Sequence, residues 1–340
     1  MAGFAQSRHF NLADTPDLAD KVAVVTGGSA GLGRDFTARL LLHGIAKVYI
    51  LARSERRYVD AKAEWAGQHG LEKADIETRT KFVACDLSDL GSVKRAAHVL
   101  LGELGRLDIL QLNAALSLVQ DSTLSPQGVE TVFAANHLGH FVLTNLLLPT
   151  IEQTAAQHGD ARIVTTSSSL HMLCQDLDFS ILTSSAPPKL SPAILDAVVR
   201  YARSKLANIL FTRELAARLR KMGARNVYAN SFFPGNVATE AMDGWRTFLG
   251  NYGGAAIKGM FQMLIGQSPA DASATAMFLA ASPKVVEQEI KGRYFVPIAV
   301  EEKTSPLAED KDLAKNLWYW SNHIVSSALG NDWKVSGGGA

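Results

Sequence analysis

Tyr201 and Lys205 are separated by three residues, so that on a helix their side chains lie one turn apart on the same face. A phenol, whose ordinary pKa is about 10, is a poor acid at neutral pH. The ammonium group of a neighbouring lysine favours the phenolate and so lowers that pKa. The pair therefore predicts acid–base chemistry in which a proton passes to a developing alkoxide or leaves an alcohol.

Two further polar features could act with this pair. The consecutive serines Ser167, Ser168 and Ser169 follow the predicted strand at 162–166, and any one of their hydroxyls could hydrogen-bond a substrate oxygen. Asn136 lies in the middle of a predicted helix, where its residue type is not favoured. We therefore include these residues among the candidates for the chemical site.

A glycine-rich loop, Thr26–Gly33, stands between the first apolar run and the first predicted helix. Glycines there allow a tight turn and a close approach of the backbone, so that the helix N-terminus can face a pyrophosphate. The loop lacks the terminal Lys-Ser/Thr of a P-loop, which argues against an NTPase. The loop residues expected to contact a dinucleotide are Gly27, Ser29, Ala30, Gly31, Leu32 and Gly33.

The end of the second predicted strand indicates which dinucleotide is bound. The sequence there is Leu51-Ala52-Arg53-Ser54, with no carboxylate before Glu55 to accept bonds from a ribose 2′-hydroxyl. A cation at this position pairs instead with a 2′-phosphate. Arg53, with Ser54 as a helper, therefore predicts NADP, bound as NADPH.

Two later strand ends should complete the cofactor site. Asp86 and Leu87 follow the third strand, where Asp86 can meet the edge of the adenine ring. Asn113, Ala114 and Ala115 follow the fourth strand and should lie along the cofactor.

Apolar strands alternate with helical patterns along most of the chain, which is typical of a parallel sheet with right-handed crossovers. We predict an α/β fold with a single doubly wound parallel sheet of Rossmann type, about seven strands and helices on both faces. The predicted strands are 22–25, 48–51, 81–85, 107–112, 162–166, 227–231 and 294–296. The predicted helices are 31–43, 55–69, 89–103, 126–151, 201–222, 268–282 and 307–329.

We expect one catalytic domain over residues 1–335, followed by a flexible Gly-rich tail at 336–340. Two excursions, 173–200 and 240–266, interrupt the alternation and follow strands, so they can overhang the ligand crevice at the carboxyl edge of the sheet. Both are rich in apolar side chains, and pockets lined in this way suit large hydrophobic ligands. A bulky apolar substrate is therefore expected.

The ordered motifs resemble those of the short-chain dehydrogenase/reductase family over residues 20–300. They are Thr26–Gly33, Asp86, Asn113-Ala114-Ala115, Asn136, Ser168, Tyr201-x-x-x-Lys205, and Pro234, Gly235, Val237 and Thr239. The stretches around Asn136 and Tyr201 more narrowly resemble the retinol-dehydrogenase-like and WW-domain-oxidoreductase-like branch, and soluble fungal secondary-metabolism reductases are also similar. One departure is Ala115, where the family usually has glycine, and we expect cofactor binding to survive the extra methyl group.

The resemblance implies a role for each candidate. Tyr201 is the acid–base residue, Ser168 is the serine at the family position and polarises the carbonyl, and Lys205 lowers the Tyr201 pKa and holds the nicotinamide ribose. Asn136 holds a relay water. Pro234, Gly235, Val237 and Thr239 join the cofactor set. The expected activity is NADP-dependent interconversion of a carbonyl and an alcohol, with reduction favoured by the NADP preference.

Two other functions stay open on this evidence: a non-catalytic NADP-binding sensor or scaffold, and an imine reductase on the same fold. Composition excludes other classes. A net charge of +1 gives no field for a nucleic acid, no run of about 18 apolar residues suits a membrane span, and the histidines lack a metal-ligand spacing. With two cysteines and no leader pattern, a cytoplasmic enzyme without metal is expected. Whether it is a monomer or a homodimer is left open.

Overall fold

A computed structural model describes residues 9–187, 189–235 and 269–334 of the chain. Its apolar runs form one sheet whose strand order is β3-β2-β1-β4-β5-β6-β7-β8. All neighbouring strands are parallel except β7 and β8. The strands are β1 Val22–Thr26, β2 Lys47–Ala52, β3 Thr80–Ala84, β4 Ile109–Leu112, β5 Ala161–Thr166, β6 Val227–Phe232, β7 Tyr294–Val296 and β8 Val300–Glu301.

The predicted fold class is confirmed, with eight strands in place of about seven. The additional strand, β8, has only two residues and pairs antiparallel with β7. A strand of two residues is too short to show an alternating hydrophobic pattern in the sequence.

The helices of the described residues are α1 Gly31–Leu42, α2 Glu55–His69, α3 Lys73–Arg79, α4 Leu90–Leu101, α5 Thr131–Phe133, α6 Gly139–His158, α7 Phe179–Leu182, α8 Ala193–Met222, α9 Pro269–Ala281, α10 Lys284–Glu287, α11 Pro306–Glu309 and α12 Lys311–Leu329. A π-helical turn, Ala134–Leu138, joins α5 to α6. No helix of the described residues is both long and apolar enough to cross a bilayer.

Several helices differ from the predictions: α6 continues to His158, seven residues beyond the predicted end, and the predicted helix 307–329 is divided into α11 and α12. Residues 126–130 are not helical, because Leu124 and Glu130 form an isolated antiparallel bridge. Helix α3 was not predicted. Helix α8 begins at Ala193, eight residues before the predicted start, with Pro192 at its N-cap. The excursion predicted at 173–200 is correspondingly shorter and contains α7, and a 3₁₀ turn, Ser169–Leu173, leads into it.

The sheet is covered on both faces because successive residues of each strand point to opposite sides. On β1, Val24 packs into the cluster formed with α4, α6, α8 and α12, whereas Ala23 and Val25 pack with α1, α2 and α9. The crossovers turn in opposite directions after β1 and after β4, so a crevice opens between the ends of these two strands. The residues that follow β1, β4 and β5 all lie at this edge.

Candidate active site

The glycine loop after β1 folds back against the first turn of α1. Gly27 and Gly31 have φ angles of +66° and +48°, which side-chain-bearing residues rarely adopt. A Cβ atom on Gly33 would lie 2.3 Å from the Gly27 carbonyl oxygen and 2.5 Å from the Asn113 Nδ2 atom. The loop, α1 and the end of β4 therefore meet so closely that only glycine fits at position 33.

The N-terminus of α1 is suited to an anion. Its N-cap residue, Ala30, provides no side-chain hydrogen bond, and no acidic residue lies in the first turn. The backbone N–H groups and the positive end of the helix dipole can thus be directed to a phosphate. Ser29 is buried beside this turn, and Leu32 packs partly into the core. This end of the crevice fits the pyrophosphate of a dinucleotide.

Thr26, the last residue of β1, has a fully buried hydroxyl that organises the loop after β4. Its Oγ1 atom accepts hydrogen bonds from the N–H groups of Asn113, at 2.8 Å, and Ala114, at 3.0 Å. The same oxygen lies 2.9 Å from Nε2 of His140. Sequence reasoning did not predict the role of His140, since helical spacing alone cannot show that this side chain reaches β1.

Asn136 lies in the π-helical turn and is fully buried. Its Oδ1 atom accepts the Leu116 N–H at 2.7 Å, while Nδ2 donates to the Leu116 carbonyl and to the Ser204 hydroxyl, both at 2.9 Å. The side-chain amide thus links the segment after Ala115 to helix α8. The amide therefore connects two parts of the structure, a role that the sequence analysis, which predicted that Asn136 holds a relay water, did not include.

Ser168 is the serine that meets Tyr201. Its Oγ atom accepts the Leu170 N–H at 3.2 Å, and its hydroxyl is near enough to the Tyr201 phenol to oppose the rise of that residue's pKa. Ser167 instead donates its hydroxyl to the Lys205 carbonyl at 2.8 Å, and Ser169 opens the 3₁₀ turn. Of the serines left open by spacing, Ser168 alone has this contact among the described residues.

Burial determines the ionisation of the Tyr201 and Lys205 pair. Burial of the phenol raises the pKa of Tyr201 to about 12, and the neighbouring Ser168 hydroxyl opposes this rise only in part. Lys205 is 1% exposed, and desolvation lowers its pKa to about 7. Its Nζ atom donates to the Thr166 carbonyl at 3.1 Å and lies 5.4 Å from the centre of the Tyr201 ring. The expected lowering of the Tyr201 pKa by Lys205 is therefore not found, because desolvation penalises both charged forms.

The predicted adenosine end is more exposed. Arg53 is exposed at the end of β2, while the Ser54 hydroxyl caps α2 by accepting the Arg57 N–H at 3.4 Å. The Asp86 Oδ1 atom accepts the Ser88 N–H and hydroxyl at 2.9 and 2.7 Å. Ala114 is half-buried and Ala115 is exposed at the crevice.

The position of Leu87 explains why residue 139 is glycine, a requirement that sequence reasoning did not identify. A Cβ atom on Gly139, the first residue of α6, would lie 2.3 Å from the Leu87 carbonyl oxygen. The end of β3 can approach the π-helical turn only because this residue is glycine.

The remaining predicted residues divide between described and undescribed segments. Pro234 and Gly235 follow β6, and Gly235 has a φ of +90°. Val237, Thr239 and the excursion 240–266 lie outside the described residues. In the first excursion, Leu177 and Leu182 are buried and Phe179 stacks on Trp320 at 5.3 Å. At its start, Met172 and Leu173 are 54% and 55% exposed. Part of this apolar segment therefore packs on the protein body.

Comparison with known proteins places this geometry in a family. A family model described as short chain dehydrogenase matches residues 21–173. A short-chain dehydrogenase/reductase of Armillaria gallica is 33% identical over 318 residues, which cover 93% of this chain and 94% of the relative. Retinol dehydrogenase 14 of Mus musculus is 35% identical over 316 residues, which cover 90% of this chain and 86% of that protein.

Solved structures agree with the fold. An uncharacterized protein of Mycobacterium paratuberculosis has a TM-score of 0.68 and 25% identity, covering 93% of this chain and 97% of that one. A structure from Beutenbergia cavernae, described as an NAD(P)-dependent gluconate 5-dehydrogenase, has a TM-score of 0.56 and 25% identity, covering 82% and 96%. With these similarities, the chain belongs to the short-chain dehydrogenase/reductase family of oxidoreductases and, within it, to the retinol-dehydrogenase-like branch.

Proposed function

We propose that the protein is an NADP-dependent oxidoreductase that interconverts a carbonyl and an alcohol, acting mainly as a reductase. The observation that carries this proposal is the meeting of Tyr201 and Lys205 with the end of β5: the Lys205 Nζ atom lies 5.4 Å from the centre of the Tyr201 ring and donates to the carbonyl of Thr166, two residues before Ser168. Lys205 is buried one turn further along α8, and the glycine loop lies at the same edge of the sheet. A proton donor, an oxygen-binding hydroxyl and a dinucleotide cradle are thereby combined.

In reduction, the Tyr201 hydroxyl donates its proton to the substrate oxygen as that oxygen gains negative charge. The Ser168 hydroxyl donates a hydrogen bond to the same oxygen and positions it. A pKa of about 12 keeps Tyr201 protonated at neutral pH, which suits the reductive direction. Lys205, in its ammonium form, places a positive charge near the phenolate that remains after proton transfer and offsets part of the cost of burying it, without bringing the Tyr201 pKa below its ordinary value.

The nicotinamide cofactor supplies the hydride. The uncapped N-terminus of α1 would hold its pyrophosphate, and Lys205 its nicotinamide ribose. Arg53 would pair with the 2′-phosphate, because the end of β2 offers a cation and no carboxylate. The Beutenbergia cavernae structure is described with bound NADP at low occupancy, which supports this choice of dinucleotide.

We propose a bulky apolar substrate of terpenoid or polycyclic type, as occurs in secondary metabolism. The exposed side chains of Met172 and Leu173 follow Ser168 by only a few residues and support an apolar approach to the site. The name of the Mus musculus relative refers to retinol, an apolar isoprenoid alcohol, which agrees with this class.

A spectrophotometric assay of NADPH oxidation tests the proposal. The panel contains small polar ketones, polycyclic ketones, polyene aldehydes and cyclic imines, and Tyr201→Phe is the control that keeps the ring and removes the acid. We expect the apolar carbonyls to have the highest kcat/KM, with turnover reduced by about 10²–10⁴-fold in Tyr201→Phe and NADPH affinity retained.

Other results would select another function. NADPH binding without turnover on any compound would favour a non-catalytic sensor or scaffold, and turnover of imines alone would favour an imine reductase. A higher kcat/KM for the small polar ketones would contradict the apolar substrate.

A further inference from the structure

His171 lies three residues after Ser168, in the 3₁₀ turn that follows β5, and is 1% exposed. Its Nδ1 atom lies 2.6 Å from the Ser168 carbonyl oxygen. Its Nε2 atom lies 3.3 Å from the backbone nitrogen of Ser305. Since a carbonyl only accepts and an N–H only donates, Nδ1 must carry the proton and Nε2 must be the acceptor. Both ring nitrogens therefore take part in hydrogen bonds.

The ring is also held by its neighbours. The Tyr294 ring meets it edge-to-face with the centroids 5.2 Å apart. Burial lowers the pKa of His171 and keeps the imidazole neutral; the hydrogen bond to the Ser168 carbonyl opposes this shift in part, and the charge of Arg213 adds to it. A neutral ring is what the Ser305 contact requires, because a protonated Nε2 could not accept that bond.

Ser305 belongs to a segment, 304–309, that we name the C-terminal strap. Within it, the Ser305 hydroxyl caps α11 by accepting the Ala308 N–H at 3.3 Å. The Arg213 guanidinium, on helix α8, donates to the Ala308 carbonyl, and Ala308 is fully buried. The strap is therefore attached to the same helix that carries Tyr201 and Lys205.

We propose that His171 is a positioning residue, which fixes the backbone of Ser168 by bridging it to the C-terminal strap. The strap is held by α8, so the bridge closes a loop of contacts from Tyr201 through α8, the strap and His171 back to Ser168. The bridge sets the distance between the two hydroxyls that act on the substrate oxygen. This inference rests on the proposed carbonyl reduction.

Paired substitutions test each half of the bridge. Ser305→Pro removes the N–H donor at a φ of −62° that proline tolerates, and Ser305→Ala is the matched control that keeps the N–H and loses only the capping hydroxyl. His171→Asn keeps a donor near Ser168 and loses the distal acceptor, whereas His171→Gln keeps a distal acceptor and loses the proximal donor.

We expect kcat for carbonyl reduction to fall by about 10- to 100-fold in Ser305→Pro and in both His171 variants, with the Kd for NADPH unchanged. Ser305→Ala should keep a kcat close to that of the native protein. A Ser305→Pro protein that loses thermal stability but keeps its native kcat would show that the contact is merely structural and would overturn the proposal.

A measurement independent of activity separates this inference from the proposed function. Nitrogen NMR of the native protein should show His171 as the neutral tautomer with the proton on Nδ1, and Ser305→Pro should change the Nε2 resonance. Proton attachment at Nε2 overturns the bridge even if carbonyl reduction is observed. The expected tautomer without turnover on any carbonyl refutes the proposed function and the catalytic effect of His171, while leaving the contact intact.

Discussion

The Nε2 atom of His140 lies 2.9 Å from the hydroxyl of Thr26, although 114 residues separate them along the chain. The Nδ1 atom of His140 faces the Asn136 carbonyl oxygen at 3.0 Å, so this nitrogen carries the ring proton. Nε2 must then accept a hydrogen bond from the Thr26 hydroxyl, which also faces the Gln111 carbonyl at the longer distance of 3.4 Å, and the Thr26 oxygen accepts the N–H groups of Asn113 and Ala114. One neutral imidazole thereby aligns the end of β1, the loop after β4 and the π-helical turn.

This alignment predicts the effect of Thr26→Val, which keeps the shape of the side chain and removes the hydroxyl. Two backbone N–H groups and His140 would lose their partner, and we expect the free energy of unfolding to fall by about 2 kcal/mol. NADPH binding should weaken by about tenfold, because the loop after β4 borders the cofactor crevice. Urea unfolding and fluorescence titration measure the two effects. Thr26→Ser is the control, and equal losses in both variants would contradict the role of the hydroxyl.

The cofactor prediction concerns Arg53. We expect the native protein to bind NADPH more tightly than NADH, and Arg53→Asp to weaken NADPH binding by about 10- to 100-fold while favouring NADH relatively. The reason is the loss of a charge-assisted contact and the added repulsion of the phosphate. Arg56→Asp, on the exposed start of α2, makes the same change in net charge and serves as the control. Equal native affinity for the two dinucleotides would refute the role of Arg53.

Two buried histidines predict sensitivity to acid. Burial, with the charge of His140 in addition, lowers the pKa of His137 to about 3, and burial lowers that of His140 to about 3. Unfolded histidines have a pKa of about 6.5, so between these values the unfolded state binds more protons than the native state. The free energy of unfolding should therefore fall as the pH falls from about 6.5 towards 3.

Removing His137 tests this linkage. Its Nε2 atom pairs with the Ser321 hydroxyl at 2.8 Å, and its ring contacts Phe133. The double variant His137→Phe/Ser321→Ala keeps an aromatic ring and leaves no hydroxyl without its partner. Between about pH 4.5 and 6.5, its unfolding free energy should depend on pH less steeply, by up to about 1.4 kcal/mol per pH unit. Parallel pH dependences in the two proteins would be the contrary result.

Much of the fold could be predicted because parallel strands covered on both faces are continuous apolar runs, and the helices between them show their own period. The pairing of Tyr201 with Lys205 and the glycine loop could also be predicted, because each involves residues only a few positions apart in the chain. Helix α8 was predicted too short because Pro187 and Pro192 indicated an irregular segment, whereas Pro192 is the N-cap from which the helix begins.

The rest depends on contacts that are distant in sequence. The π-helical turn, which directs His140 to Thr26, has no spacing signal. The high pKa of Tyr201 follows from burial, which the three-residue spacing to Lys205 does not reveal. Likewise, the Ser305 partner of His171 is 134 residues away. Sequence patterns therefore indicated which candidate residues follow the strand ends, but their charge states and their supporting contacts required the folded chain.

The last prediction concerns Arg200, the residue before Tyr201, which is buried with Glu130. Its Nη1 atom lies 3.3 Å from the Glu130 carboxylate, and its Nη2 atom donates to the Val119 carbonyl at 2.6 Å. Glu130 in turn caps α5 through the Val132 and Phe133 N–H groups. Arg200 thus connects helix α8 to the start of α5 and to the loop after β4.

Arg200→Met should lower the free energy of unfolding at neutral pH by about 3–5 kcal/mol, because it leaves the Glu130 carboxylate buried without its cation. Burial already raises the pKa of Glu130, and Arg200 opposes that rise, so the variant should raise it further. A carboxyl whose pKa is higher in the native state than in the unfolded state binds more protons when the protein is folded. The free energy of unfolding of the protein therefore falls as the pH rises. The loss of unfolding free energy in Arg200→Met, relative to the native protein, should therefore be larger at pH 7 than near pH 5. The double variant Arg200→Met/Glu130→Gln should be more stable than Arg200→Met alone. Guanidinium unfolding at the two pH values measures both comparisons, and a deficit independent of pH in the single variant would show that lost packing, not an uncompensated charge, causes the instability.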